Sequence, residues 1–302
     1  MKKIEVQNLV KKYGGITAVD DISFYVESGS FFSFLGVNGA GKSTTINIIS
    51  TLLRKSSGSV LLDGKDLSCD SSAKKEIGVV FQKNLLDDVL TVKQNLMLRS
   101  KFYYNKRAQQ TQAVSDALET LNASDIKDRP YGKLSGGQKR KIDIARALVH
   151  KPSLLILDEP TTGLDPASRK SLWETLTKLN RDKGMTLFLT THYMEEAENS
   201  DFIAIINKGK IIEKATPSQL KSSYVKDKLV LYPSDAEKLK AELIKESIDF
   251  MENRDTITVY VDNTRNSLPL LFKCKDYIYE YEMIRGTLEN VFINLTDGEN
   301  RK

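Results

Sequence analysis

The run GVNGAGKST, from Gly36 to Thr44, constrains this chain more than any other stretch, because it fits G-x-x-x-x-G-K-[ST] without slack. It follows the apolar run FFSFL (Phe31 to Leu35) and leads into TTINIISTLL, whose apolar spacing suits a helix. Strand, loop and helix in that order are the setting in which the motif carries meaning. The chemistry it predicts is anion capture. Gly36, Gly39 and Gly41, with Val37, Asn38 and Ala40 between them, let successive backbone N–H groups turn inward as a nest. The helix that opens with Lys42, Ser43 and Thr44 points its positive end at the same place. Lys42 is then placed to reach the outer phosphates of a nucleoside triphosphate, and the Ser43 hydroxyl to ligate Mg²⁺.

The 302 residues exceed one average domain, so one large domain with a smaller companion is the expectation. Charged residues make up 28% and the net charge is +5, spread along the chain, which describes a solvated surface. The two cysteines, Cys69 and Cys274, fit no metal-ligand spacing and suggest a reducing compartment. The start MKKIEVQNLVKKY is alternating and charged, unlike a signal peptide. No apolar run approaches the ~20 residues that span a bilayer. A cytosolic or peripheral protein is expected, with any membrane role supplied by a partner.

IEVQNLVKKY and AVDDISFYV read as strands joined at Gly14–Gly15, SSGSVLLDG as strand and turn, and IGVVFQ (Ile77 to Gln82) as a further strand. From about Thr91 to Leu121 the period turns helical. Strands return at SLLILD (Ser153 to Asp158) and MTLFLTTH (Met185 to His192), separated by a helix carrying Leu172, Leu176 and Leu179. Apolar strands alternating with helices indicate a parallel sheet covered on both faces. FIAIINKGKIIEK reads as a hairpin turning near Lys208–Gly209. Composition shifts after Pro217: Lys and Glu become dense over Ser222 to Glu246, TITVYVD and YIYEYEMI alternate as strands, and GTLENVFINLT closes as a helix. Residues 221–302 are therefore expected to form a small α+β domain behind an α/β domain of residues 1–220.

LLILDEP (Leu154 to Pro160) is an apolar strand ending in two carboxylates. At a strand end beside the phosphate loop, Asp158 would orient Mg²⁺ and Glu159 could accept a proton from an attacking water. LSGGQ (Leu134 to Gln138) opens a helix with an apolar stripe of Ile142, Ala145, Leu148 and Val149. Ser135 is a good N-cap, and Gly136 and Gly137 leave amides free at the positive helix end, a second anion site.

With LSGGQ about twenty residues ahead of LLILDEP, the chain resembles the ATP-binding subunits of ABC transporters. The resemblance implies a P-loop NTPase fold, α/β with a mixed sheet, a helical subdomain over about 87–135, and the small C-terminal domain. Tyr13 stands where the family places an aromatic that stacks on adenine. Gln82 matches the glutamine that touches Mg²⁺ and the membrane partner. Gly163, Leu164 and Asp165 match the loop through which paired sites communicate, and His192 matches the histidine that contacts the γ-phosphate. These markers run in the family's order over residues 1–220. Val37 replaces a proline usual in close relatives, while Lys139, Arg140 and Lys141 fall within the family's range. TTGLDPASR, THYMEEAE and the closing GTLENVFINLT are similar to the drug- and antibiotic-exporter branch.

The resemblance implies a head-to-tail dimer, either of this chain or with a homologous subunit. ATP would lie between the phosphate loop of one subunit and Ser135, Gly136, Gly137 and Gln138 of the other, with Asp165 close by. Lys42, Gln82, Glu159 and His192 would carry hydrolysis, and Ser43, Gln82 and Asp158 would hold Mg²⁺. The expected partner is a multi-span permease on a separate chain, at the cytoplasmic face of the membrane, docking along Gln82 to about Tyr104. No nucleic-acid partner is expected. An importer subunit and a soluble ABC ATPase on ribosomes or DNA are the alternatives. The latter usually carry two cassettes or a split cassette with long coiled coils, whereas this chain has one phosphate loop and no sustained heptads. A metabolic P-loop kinase gives no reason for LSGGQ. A drug, antibiotic, peptide or lipid-like cargo is favoured, while ions and polysaccharides stay open.

Overall fold

The computed structural model describes residues 1–69 and 73–299, which form two compact units, Met1–Lys214 and Ala215–Lys302. The first unit opens with two long strands, β1 (Lys2–Tyr13) and β2 (Ile16–Glu27), paired antiparallel across the Gly14–Gly15 turn. Next come β3 (Phe31–Leu35), α1 (Lys42–Ile49), β4 (Ser57–Leu62) and β5 (Lys65–Asp66). β6 (Ile77–Val80) precedes α2 (Val92–Ser100), α3 (Arg107–Thr120) and α4 (Gly136–Leu148). β7 (Leu154–Asp158), α5 (Pro166–Arg181), β8 (Thr186–Thr191), α6 (Met194–Ala197), β9 (Phe202–Asn207) and β10 (Lys210–Ala215) complete it.

Two sheets result. One is antiparallel, in the order β2-β1-β4-β5; the other has the order β10-β9-β3-β8-β7-β6. Within the second, β9, β3, β8, β7 and β6 pair in parallel. β3, β7 and β8 are buried along their whole length, so their sequences are apolar runs rather than alternations. An aromatic cluster joins the sheets: Phe24 of β2 lies 5.4–6.0 Å, centroid to centroid, from Phe32, Phe34 and Phe188. Behind the parallel sheet, α2, α3, α4 and α5 contribute Leu96, Leu118, Ile142 and Leu176 to a second core with Leu155 and Leu157.

The order β3-β8-β7-β6 matters for function. These strands run parallel, so their C-terminal ends lie side by side, and ligands of open α/β sheets bind beyond such ends. The segments leaving those ends carry the phosphate loop, His192, Asp158–Glu159 and Gln82.

Sequence and structure differ at the exit of the edge strand. IGVVFQ is expected as a strand to Gln82, but β6 stops at Val80, where its pairing with β7 ends at Leu157. The next carbonyl, that of Phe81, accepts from Arg140 instead of from a strand neighbour. Gln82 is thereby released from the sheet.

The second unit contains α7 (Pro217–Tyr224), β11 (Asp227–Pro233), α8 (Ala236–Lys245), β12 (Phe250–Asn253), β13 (Thr256–Val261), α9 (Ser267–Cys274), β14 (Ile278–Ile284) and α10 (Leu288–Glu299). Its sheet is antiparallel, in the order β12-β13-β11-β14. Leu239, Leu243, Leu270 and Cys274 from α8 and α9 pack with Leu229, Leu231, Ile257 and Val259 of the sheet. The Lys- and Glu-rich stretch hides β11, whose alternating Leu229 and Leu231 are fully buried.

Candidate functional site

The loop after β3 closes by tight backbone approaches. Gly36 N–H donates to Thr191 O at 3.2 Å, anchoring the loop to the end of β8. Gly41 has φ +107, and a Cβ there would sit 2.6 Å from the Ala18 carbonyl, so only glycine fits. No side chain caps α1, which leaves its leading amides for a ligand.

Lys42 is 4% exposed and folds back into this loop. Its Nζ donates to the carbonyls of Gly36 (2.7 Å) and Val37 (3.1 Å) and lies 3.3 Å from Glu159 Oε1. Asn38, Gly39, Gly41, Lys42, Ser43 and Thr44 line one cleft of about 330 Å³, together with Ala18, Gln82 and Glu159. The phosphate loop, the glutamine and the second carboxylate are thus in one place.

Glu159 sits at the centre. It is 8% exposed and has φ +44, an uncommon conformation for a residue with a side chain. Its N–H is fixed by the Thr190 carbonyl at 3.1 Å. Oε1 lies 3.2 Å from His192 Nδ1, and Oε2 accepts from Gln82 Nε2 (3.2 Å) and Thr162 Oγ1 (3.4 Å). Lysine, histidine and glutamine therefore converge on one buried carboxylate. Asp158, the residue before it, accepts from Thr190 Oγ1 at 2.6 Å, and Ser43 Oγ lies 3.5 Å from its Oδ1. Burial raises the Asp158 pKa above the ordinary carboxylate value and the charge of Glu159 adds to this, while the Thr190 bond works the other way.

Two further groups hold the walls. Glu196 of α6 is buried and accepts hydrogen bonds from Thr161 and from Thr191 (2.6 Å), tying the segment after Glu159 to the strand end before His192. Burial raises its pKa as well. Thr190, Thr162, Glu196 and Ala18 went unread as site residues in the sequence, because tertiary packing and not a motif of their own brings them here.

The other expected nucleotide contacts stand outside the cleft. Ser135 Oγ accepts from Gln138 N–H (3.3 Å) while Gln138 Oε1 accepts from Ser135 N–H (3.1 Å), a reciprocal capping box on α4. Ser135 and Gly136 are exposed and Gly137 is half-buried. Asp165 caps α5, accepting from Ser168 N–H at 2.9 Å and Ser168 Oγ at 2.6 Å. Tyr13 is 48% exposed at the end of β1, with Lys11 Nζ 4.8 Å from its ring centroid. In one chain these residues are surface features with local structural duties.

The sequence profile of the ABC transporter family matches residues 19–162. The chain is 34% identical over 306 residues to the daunorubicin/doxorubicin resistance ATP-binding protein DrrA of Streptomyces peucetius, covering 98% of this chain and 92% of that protein. It is 36% identical over 301 residues to the Nod factor export ATP-binding protein I of Burkholderia orbicola, covering 98% and 97%. Among solved structures it resembles a dimeric ATP-binding cassette in a post-hydrolysis state bound to ADP and Pi. That likeness has a TM-score of 0.64 at 28% identity and covers 70% of this chain and 98% of the other.

Proposed function

Because the chain belongs to the ABC transporter family as an ATP-binding subunit, we propose that Glu159 is the base that activates water for ATP hydrolysis at this site. The supporting observation is the triple engagement of its carboxylate by Lys42, His192 and Gln82. A base must be held within hydrogen-bond reach of the proton it takes, and a buried, strained, multiply tethered carboxylate is held in that way. Lys42 would leave the loop carbonyls for the phosphates, since a lysine amine makes only three donor contacts and two are now spent on Gly36 and Val37. His192 would hold the γ-phosphate in line, and Tyr13 would stack on the adenine.

Mg²⁺ fits the donor set. Ser43 and Asp158 supply hard oxygens that approach each other beside Lys42, and Gln82 lines the same cleft. When bound there, Mg²⁺ neutralises charge on the phosphates. Asp158 stays in register for this because Thr190 holds it at 2.6 Å.

Ser135, Gly136, Gly137, Gln138 and Asp165 lie outside the cleft of their own chain. We assign them to the site of a second subunit, where exposed amides at the head of α4 would complete the phosphate cage. ATP would then join two subunits, and loss of the γ-phosphate would release them. Either two copies of this chain or this chain and a homologue satisfy that geometry.

The permease docks, in this reading, along Gln82 to about Tyr104. Leu85, Val89, Leu98 and Phe102 are 56%, 84%, 48% and 78% exposed, an apolar set in a segment adjoining the site. Asp87 and Asp88 are engaged in shaping the segment: Asp87 accepts from Val89 N–H, and Asp88 pairs with Lys139 at 3.0 Å. No described helix is long and apolar enough to cross a membrane. The subunit would sit peripherally at the cytoplasmic face and power export of a drug, antibiotic, peptide or lipid-like molecule, as the drug-resistance and Nod factor export relatives suggest. The double variant Leu85→Arg/Phe102→Arg should keep the ATPase activity of the isolated subunit and lose co-purification with the permease. Intact co-purification and transport would place the docking surface elsewhere.

A further inference from the structure

The run KRK after LSGGQ has the look of three solvated cations. The middle one is not solvated. Arg140 is 5% exposed, and its guanidinium reaches three backbone carbonyls on two separate segments. Nε donates to Pro160 O at 2.6 Å, Nη1 to Phe81 O at 2.5 Å, and Nη2 to Asp158 O at 3.2 Å.

Those carbonyls belong to the catalytic neighbourhood. Asp158 and Pro160 flank Glu159, and Phe81 immediately precedes Gln82. The side chains of Glu159 and Gln82 are themselves hydrogen-bonded at 3.2 Å. One planar fork therefore fixes the backbone on both sides of the carboxylate and at the root of the glutamine. Glu159 needs such support: its φ of +44 is unfavourable, and only surrounding contacts can keep it there. A lysine could not replace the fork, since a single ammonium cannot span three carbonyls in one plane.

A buried carboxylate accompanies Arg140 on the same helix. Asp143 lies one turn along α4, is buried, and accepts from the Tyr131 hydroxyl at 3.3 Å. Its charge favours the ionised forms of Arg140 and Arg146 against the burial that lowers the pKa of both, and Arg146 Nη2 donates to Val79 O at 2.6 Å. The three carbonyl bonds are what fix the position of Arg140.

We propose that Arg140 is a positioning residue for hydrolysis: through the carbonyls of Phe81, Asp158 and Pro160 it holds Gln82 and Glu159 in register for the attacking water. The inference rests on Glu159 acting as the base. Arg140 is buried and is not among the residues that line the cleft, so its loss should lower kcat and spare ATP binding.

The test compares Arg140→Lys and Arg140→Ala with the wild-type protein in steady-state ATPase assays, and repeats each in a Glu159→Gln background for ATP-driven dimerisation. The expected result is a fall in kcat of about a hundredfold, the scale of a 1 Å misplacement, with an unchanged KM for ATP and an intact dimer. Millimolar guanidinium should restore part of the activity of Arg140→Ala, and equimolar urea should not. Near-normal kcat in Arg140→Lys would overturn the proposal. So would ATP affinity or dimerisation falling in step with kcat, or failure of both variants to fold, since Arg140 would then be a general structural residue. Glu159→Gln, assayed alongside, separates the premises. Turnover retained there removes the base assignment itself, whereas an inactive Glu159→Gln beside an active Arg140→Lys removes only the role of Arg140.

Discussion

Glu159→Gln should reduce ATP turnover by about 10²- to 10⁴-fold, the usual contribution of a positioned general base. The substitution keeps size and shape and removes only the proton-accepting charge. Gln82 and Thr162 can still donate to the amide oxygen, so the loop geometry should persist. Nucleotide binding should survive, and with Lys42 relieved of a negative neighbour at 3.3 Å it should tighten. An enzyme that holds ATP without hydrolysing it should accumulate as a dimer, since in the proposed cycle release would follow loss of the γ-phosphate. Single-turnover kinetics, equilibrium nucleotide binding and sedimentation check the three parts. Vigorous hydrolysis by Glu159→Gln would remove Glu159 as the base and leave His192 as the candidate.

The second large effect is expected at Lys42. Its amine is buried among two loop carbonyls and the Glu159 carboxylate. With nucleotide bound its partner would be the triphosphate, and removing one member of a buried, hydrogen-bonded charge pair across an interface costs about 2–5 kcal/mol of binding, or roughly 30-fold or more in affinity. Lys42→Ala should therefore fail at binding, unlike Glu159→Gln, which should fail at chemistry. The same change leaves Glu159 without its cation. Repulsion between Glu159 and the triphosphate would then add to the loss. Fluorescent-nucleotide titration measures this directly, and an unchanged affinity would contradict the assignment of Gly36 to Thr44 as the phosphate loop.

The contrast between these two residues and Arg140 shows where sequence reading stops. Gly36 to Thr44 is legible because its chemistry is local: glycines at fixed offsets, a lysine and a hydroxyl entering a helix. Asp158 and Glu159 are legible because they end an apolar strand in a chain that also carries a phosphate loop, and phosphate-bound Mg²⁺ needs carboxylates at such a strand end. Gln82 and His192 are singled out only through the family resemblance, since neither residue carries a signal alone, and their convergence on Glu159 is seen only in the structure.

Other features cannot be read along the chain. Arg140 sits in a run of three cations, and nothing in KRK distinguishes a side chain that points into the protein from two that do not. Its burial is set by where β6 ends and β7 turns, which is tertiary information. The same applies to Glu196, one of two glutamates in THYMEEAE that precede its alanine, of which this one is buried between Thr161 and Thr191. Ser135 and Gln138 illustrate the reverse case. The word LSGGQ points to phosphate, yet within one chain its serine and glutamine cap each other. In the proposed dimer their ligand would be the nucleotide of the other subunit.

In the second unit, the strands TITVYVD and YIYEYEMI are legible from period-2 alternation. β11 is not, because Asp227 and Lys228 lead it out of a dense charged stretch that masks Leu229 and Leu231. The burial of those two leucines under α8 and α9 is what reveals the strand.

An ATPase that serves a separate membrane protein should be recoverable with it. Affinity purification of tagged Glu159→Gln protein, with ATP, from detergent-solubilised membranes of the host, followed by mass spectrometry, looks for that companion. One multi-span membrane protein should be recovered in stoichiometric amount, and should be lost when Leu85→Arg/Phe102→Arg is introduced. Recovery of ribosomes, DNA or soluble proteins alone would contradict the transporter role, and would leave an ATPase whose work is done away from the membrane.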